Sequence, residues 1–159
     1  MPDVSVHIVT YNNAATIERC LTALAAQQTV DFQVRVVDNA SSDDTVERVA
    51  AMGVPVTVND HNRGYAQAHN QAIDSTDSQY VLTLNPDVEL TPRFSQHMCA
   101  ALDADPKLGS ASGRLLRVEA LGQAPNAIDS TGLFMRRNRR QGLRHEGQPV
   151  DAAPAHLHR

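Results

Sequence analysis

The sequence contains no tryptophan, only three phenylalanines, three tyrosines and two cysteines in 159 residues. With so few aromatic rings, a core must be built from aliphatic side chains. Cys20 and Cys99 form no Cys-x-x-Cys pair and both fall on apolar helix faces. That argues against a disulfide scaffold or a metal site and for two reduced core thiols in a cytoplasmic protein. No run of about 18 apolar residues occurs, and the opening Met-Pro-Asp-Val lacks a basic start and an apolar stretch, so neither a membrane span nor a secretory signal is expected. A formal net charge of -4 argues against wrapping nucleic acid. No Gly-x-Gly-x-x-Gly follows the first strand, against a dinucleotide-binding fold, and there is neither a P-loop nor the Gly-x-Ser-x-Gly of a hydrolase nucleophile. The seven histidines are scattered, and each is assigned to solvent or to a satisfied core position rather than to a metal. Repeats, linkers and low-complexity tracts are also missing, which gives one domain over 1–159, with 148–159 expected to fray.

What is present is 42% hydrophobic residues in a chain long enough to bury roughly 70% of its unfolded surface. Short apolar strands are expected at Val4–Tyr11, Phe32–Val37, Val54–Val58 and Tyr80–Leu84, the last a buried strand and Pro55 marking the third as an edge or strand start. Between them lie amphipathic helices. Ile17, Cys20, Leu21 and Leu24 form one apolar stripe behind a capping asparagine, Asn12 or Asn13. Ser41 with Asp44 resembles a capping box for a helix whose buried face is Val46, Val49 and Ala50, ended by Gly53. A third helix follows Asn62-Arg63-Gly64-Tyr65 through about Ile73. Thr91-Pro92 reads as the N-cap and first residue of a fourth, which turns Phe94, Met98 and Leu102 to the core. The alternation predicts βαβ units, hence an α/β fold with a mostly parallel sheet and helices on both faces. After Lys107 the pattern changes: 110–118 reads as one further strand, and 128–144 as an exposed hairpin or ordered loop with five arginines.

The chemistry concentrates where strands stop. Thr10-Tyr11-Asn12, Asp38-Asn39, Asn62 to Gly64 and Asn85-Pro86-Asp87 each follow an apolar strand, so in a parallel sheet all four corners converge on one rim, the edge where ligands bind. A nucleotide diphosphate needs from such a rim a polar partner for the base edge, a close backbone approach near the phosphates and a divalent cation. Asp38 can accept from a pyrimidine ring N–H, Gly64 permits the approach, and Asp87 is placed to hold the metal. For Asp38 helix capping, and for Gly64 an ordinary loop role, are the competing readings.

Val6–Asn13 (VHIVTYNN), Val36–Thr45 (VVDNASSDDT), Asn62–Ala72 (NRGYAQAHNQA) and Leu82–Leu90 (LTLNPDVEL), in this order and spacing, resemble the family 2 glycosyltransferases of the GT-A fold, particularly the rhamnosyltransferase-like branch. The resemblance implies a three-layer, Rossmann-like fold, incomplete at its C-terminus. It also implies transfer of a sugar, with inversion, from a dTDP- or UDP-linked donor to a glycan or lipid-linked acceptor hydroxyl. Carried over, Thr10, Tyr11 and Asp38 hold the base with Asn12 and Asn39 beside them, Gly64 and Asn70 lie near ribose and phosphates, and Asp87 coordinates Mg²⁺ or Mn²⁺. The family's Asp-x-Asp stands here as Asn85-Pro86-Asp87, which turns Asn85 from a metal ligand toward the ribose. No downstream Glu-Asp motif is found, so no general base is assigned, and Asp129, Glu146 and Asp151 match none. The expectation is a truncated donor-binding portion, prone to form a homo-oligomer through uncovered apolar surface and able to touch the inner face of the membrane peripherally. The alternative is a catalytically silent nucleotide-sugar-binding fragment.

Overall fold

The computed structural model describes residues 3–28, 30–119 and 123–152. The chain falls into two compact units, Met1–Cys99 and Ala100–Arg159.

The first unit is a sheet with helices on both faces. Strands β1 (Val4–Thr10), β2 (Phe32–Asp38), β3 (Val56–Val58) and β4 (Tyr80–Leu84) are all parallel, in the order β3-β2-β1-β4. The sheet's registers place Thr10 opposite Asp38 and Asp38 opposite Val58, so those strand ends stop level with one another. Alternation along β1 and β2 sends successive side chains to opposite faces. On one face Val4, Val6, Ile8, Val36 and Leu84 pack with Ile17, Cys20, Leu21 and Leu24 of α1 (Ile17–Ala25) and Val49 of α2 (Thr45–Ala51). On the other, Val9 and Val37 meet Ala68 and Ala72 of α3 (Tyr65–Ile73). The apolar stripe of α1 is buried as its spacing requires. Helix α4 (Phe94–Asp103) adds Cys99 to the first cluster, but Phe94, Met98 and Leu102 are only half-buried.

Several local expectations are corrected. Strand β4 is not a buried strand: it lies at the sheet edge, α3 covers β1 and β2, and Val81 and Thr83 are exposed. No asparagine caps α1; the Asn13 side chain turns back to accept from the Tyr11 N–H, and the helix starts at Ile17. The Ser41–Asp44 box does not form either. Asp43 accepts from the N–H and hydroxyl of Thr45, and its other oxygen takes the Ala14 N–H, so it ties the start of α2 to the loop after β1. Ala50 is exposed, leaving Thr45 and Val49 as the buried residues of that helix. Thr91 contributes its carbonyl rather than a cap: Gln27, just past α1, donates to Thr91 O at 2.7 Å and accepts from Ser95 N at 3.0 Å, thereby capping α4 from a neighbouring element.

The second unit holds two antiparallel pairs, β5 (Leu115–Arg117) with β6 (Ala127–Ser130), and β7 (Leu133–Met135) with β8 (Gln141–Leu143). The strand expected over 110–118 is thus confined to three residues. Ile128, fully buried, exchanges backbone hydrogen bonds with Gly147 and Gln148. Of the tail expected to fray, 153–159 lies outside the described residues, and at 149–152 Ala152 N donates to Pro149 O.

His7 and His69 depart from the satisfied-core expectation. His7 on β1 and His69 on α3 are both buried between sheet and helix. His7 Nε2 meets Thr76 Oγ1 at 2.9 Å, but His7 Nδ1 and both nitrogens of His69 have no hydrogen-bond partner among the described residues. Burial pushes both imidazoles below their usual pKa of 6.5, with His69 and Arg35 adding to the effect on His7. Both are therefore neutral in the folded protein near pH 7. In the unfolded chain each protonates at about 6.5, so the unfolded state binds more protons below that pH and stability falls as the pH drops from about 6.5 toward the depressed folded values. A melting temperature that declines from pH 7 to pH 5, with a shallower decline in His69→Gln, is the expected result.

Candidate functional site

The site is assembled at the C-terminal ends of the parallel strands. A cleft of about 370 Å³ is lined by Val9, Thr10 and Tyr11 with Asn13 from the first corner, Asn39 from the second, Asn62 with Tyr65 from the third, and Asn85, Pro86 and Asp87 from the fourth. All four polar corners meet. The volume falls in the range of small-ligand sites.

A run of hydrogen bonds joins the corners. Thr10 Oγ1 donates to Asp38 Oδ1 at 2.7 Å, and Asn39 N donates to Thr10 O at 2.8 Å. Asn59 donates through its backbone to Asp38 O and through its amide to Asn39 Oδ1. Asn39 Nδ2 reaches Gly64 O at 3.4 Å, and Tyr65, which follows Gly64, donates its phenol to Asn85 Oδ1 at 3.1 Å. The Tyr65 ring also stands edge-on to His69, centroids 4.3 Å apart.

Asp38 is wholly buried and does not line the cleft. Besides Thr10, its carboxylate accepts from the backbone N–H and hydroxyl of Ser41. Asn12, at φ +57°, also stands outside the lining; it accepts from Ser42 N and donates its own N–H to Ser41 Oγ, locking the first two corners together. Gly64 and Asn70 lie outside the lining as well, Asn70 being exposed on α3. Gly64 adopts φ +84° and ψ 160° at the start of α3, a region essentially confined to glycine. A Cβ there meets nothing within 4 Å, so the barrier to substitution is the backbone itself. Gly64→Ala is expected to cost about 1–3 kcal/mol, read as a shifted denaturation midpoint with an unchanged slope.

Tyr65 and Asn13 line the cleft without a role that the sequence assigns to them, and Asn62, part of the third corner, lines it as well. The signal for Tyr65 and Asn62 was their place in the Asn62–Ala72 motif; for Asn13 it was adjacency to Tyr11-Asn12.

Electrostatically, the lining holds one carboxylate, Asp87, and neither lysine nor arginine. Among the described residues no three His, Cys, Asp or Glu side chains gather into a metal-binding group. Glu89 is committed to Arg19 at 2.6 Å. Cys20 lies behind Asn85, its thiol donating to Asn85 O at 3.6 Å; burial, reinforced by the charges of Asp87 and Glu89, pushes its pKa up to about 12, so it offers no thiolate. This donor set fits a hard divalent cation that takes one protein carboxylate and completes its shell with water and phosphate oxygens. It does not fit a zinc cage.

Residues 5–156 match the profile described as Glycosyl transferase family 2. The chain belongs to that family. A relative, the succinoglycan biosynthesis protein ExoO of Rhizobium meliloti (strain 1021), is 34% identical over 107 residues, covering 65% of this chain and 31% of that protein. A mannosyltransferase from Pyrobaculum calidifontis, solved with GDP-Man and Mn²⁺, superposes with a TM-score of 0.60 at 27% identity over 75% of this chain and 36% of that one. S. aureus TarS 1-349, solved with UDP-GlcNAc, gives a TM-score of 0.61 at 24% identity over 82% of this chain and 38% of that one, a likeness of fold. The chain spans between about a tenth and a third of the length of the curated relatives it matches. The mostly parallel sheet flanked by helices is the GT-A, Rossmann-like arrangement of these neighbours. No helix among the described residues is long and apolar enough to cross a membrane.

Proposed function

We propose that this chain binds a nucleotide diphosphate sugar in the cleft and serves the transfer of its sugar to an acceptor hydroxyl in polysaccharide or glycolipid synthesis. The single observation that carries the reading is the meeting of four polar strand-end corners around one exposed carboxylate, in a lining without a basic side chain. A diphosphate placed beside Asp87 alone is repelled; a divalent cation between them offsets most of that repulsion. Asp87 would hold Mg²⁺ or Mn²⁺, and that ion supplies charge neutralisation at the leaving diphosphate.

The other roles follow from position. Tyr11, exposed at the rim, offers a ring face to a base, while Thr10 and Asn39, buried beneath it and bonded to Asp38, Asn59 and Gly64, serve the base by holding that corner in place. Asp38 acts on the base through the corner it holds, since its carboxylate is committed to Thr10 and Ser41. Asn85, its Oδ1 taken by Tyr65, is left with an amide donor for a ribose or phosphate oxygen. Gly64 shapes the start of α3 nearby, and Asn70 lies further along that helix. In the transfer itself the acceptor oxygen bonds to the anomeric carbon as the bond to the diphosphate breaks, with inversion, and the acceptor proton passes to a base. No residue here is assigned as that base. A rhamnosyltransferase-like specificity with a UDP- or dTDP-linked donor, a glycan or lipid-linked acceptor, self-association through the exposed β4 face and a cytoplasmic, membrane-peripheral setting complete the reading.

Calorimetry with UDP- and dTDP-sugars, with and without Mn²⁺, tests it. Saturable binding that needs the metal is expected. No heat with either donor in the presence of Mn²⁺ overturns the reading, while binding without turnover identifies a silent donor-binding module.

A further inference from the structure

The β7–β8 hairpin concentrates charge and apolar surface in one short ribbon. Five of the chain's 14 basic residues, Arg136, Arg137, Arg139, Arg140 and Arg144, fall within nine positions, and no Asp or Glu occurs from 130 to 145 although the whole chain carries a net charge of -4. All five are exposed, and among the described residues none of their guanidinium groups has a carboxylate partner; by contrast Arg117, in the same unit, is paired with Asp129 at 2.7 Å. Register places Leu133 opposite Leu143 and Met135 opposite Gln141, so these four share one face of the ribbon. On that face Leu133 is 60% and Met135 70% exposed. On the opposite face Phe134 lies against Gly142, where an added Cβ would stand 2.6 Å from the ring, and the ring carries the Arg136 guanidinium 5.6 Å from its centroid.

The tip is a defined turn. Arg136 N donates to Arg140 O at 2.8 Å and Arg139 N to Arg136 O at 2.9 Å, with Arg139 itself at φ +62°. At this left-handed position glycine or asparagine is favoured; arginine sits there against the backbone's preference and adds one more charge.

We infer that the β7–β8 hairpin docks on the surface of an anionic phospholipid bilayer, the arginines of its tip pairing with headgroup phosphates while Leu133 and Met135 enter the headgroup boundary. Guanidiniums with no carboxylate partner among the described residues match lipid phosphate as they would any phosphate, but two adjacent apolar side chains standing in water beside them match a bilayer rather than a soluble polyanion. The inference supplies residues for the peripheral membrane setting of the proposed function and is independent of sugar transfer, so the two can fail separately.

The test is co-sedimentation of the protein with vesicles of phosphatidylcholine alone or mixed with phosphatidylglycerol, with UDP binding in the presence of Mn²⁺ measured on the same preparations. Expected is binding to the anionic vesicles only, weakened by salt, and lost by roughly fivefold for each arginine neutralised. Arg139→Gly is the decisive variant, because it removes a charge while relieving the left-handed backbone, so weaker binding by it cannot come from a disordered hairpin. Met135→Asp is expected to weaken vesicle binding with all arginines retained. No sedimentation with phosphatidylglycerol vesicles at low salt overturns the inference, as does unchanged binding by Arg139→Gly together with Arg137→Glu. Binding to a single-stranded RNA oligonucleotide with none to vesicles also overturns it. UDP binding unchanged in all variants is expected and leaves the donor reading standing whichever way the vesicles decide.

Discussion

Replacing Asp38 by alanine is expected to destabilise the protein by about 3–5 kcal/mol, a large share of the roughly 5–15 kcal/mol that holds a domain of this size together. The carboxylate is fully buried and accepts from Thr10 Oγ1, Ser41 N and Ser41 Oγ. Removing it leaves the buried Thr10 hydroxyl without its acceptor and frees Ser41, whose hydroxyl in turn receives the Asn12 N–H. The loops after β1 and β2 then lose their common anchor, so nucleotide binding should fall with stability. Asp38→Asn retains one acceptor oxygen and the side chain's shape, and is expected to recover about half of the lost stability. Chemical denaturation of the three proteins measures this directly. A loss below about 1 kcal/mol in the alanine variant would show that Asp38 does not organise the rim.

The second large effect is on binding. Asp87→Asn is expected to weaken Mn²⁺-dependent binding of UDP by about 100-fold, since even residues that only support a metal's ligands cost 10–100-fold when changed. Its fold stability should barely move: Asp87 is exposed, and the buried Pro86 beside it holds the turn. Calorimetry alongside thermal unfolding separates the two readouts. The converse substitution, Asn85→Asp, adds a second carboxylate where the Tyr65 phenol already points, and tighter Mn²⁺ binding without nucleotide is the expected outcome.

The sequence carried most of the fold because the relevant signals are local. The Ile17, Cys20, Leu21, Leu24 stripe determines which side of α1 is buried, the short apolar runs at Val4–Thr10 and Phe32–Asp38 mark strands, and the βαβ rule then makes the sheet parallel. The convergence of the four corners followed from that topology alone. What local pattern does not encode is how many neighbours an element acquires. Tyr80–Leu84 has the composition of a covered strand, yet as an edge strand beyond the reach of α3 it leaves Val81 and Thr83 exposed. Short polar side chains misled for a related reason. In Asn12-Asn13 and Ser41 to Asp44 any of several residues can satisfy a helix start, and tertiary contacts between the two loops decided the choice, giving Asp43 to Thr45 and Ala14 and giving Asn12 to Ser42. The sequence marks Asp38 as important, but only its burial and partners show that the carboxylate is spent on Thr10 and Ser41. The contribution of Tyr65 is not legible in the sequence because it depends on how the first turn of α3 meets the Asn85 corner, a matter of spatial placement across 20 residues of chain.

The central claim is that a cation held at Asp87 brings a nucleotide diphosphate into the strand-end cleft. It is tested most directly by paramagnetic broadening of backbone amide NMR signals when Mn²⁺ is added at trace level to the UDP-saturated protein. Broadening concentrated at Tyr11, Asn39, Tyr65 and Asp87, and abolished in Asp87→Asn, is the predicted result. Broadening centred elsewhere, or undiminished in that variant, would contradict the account.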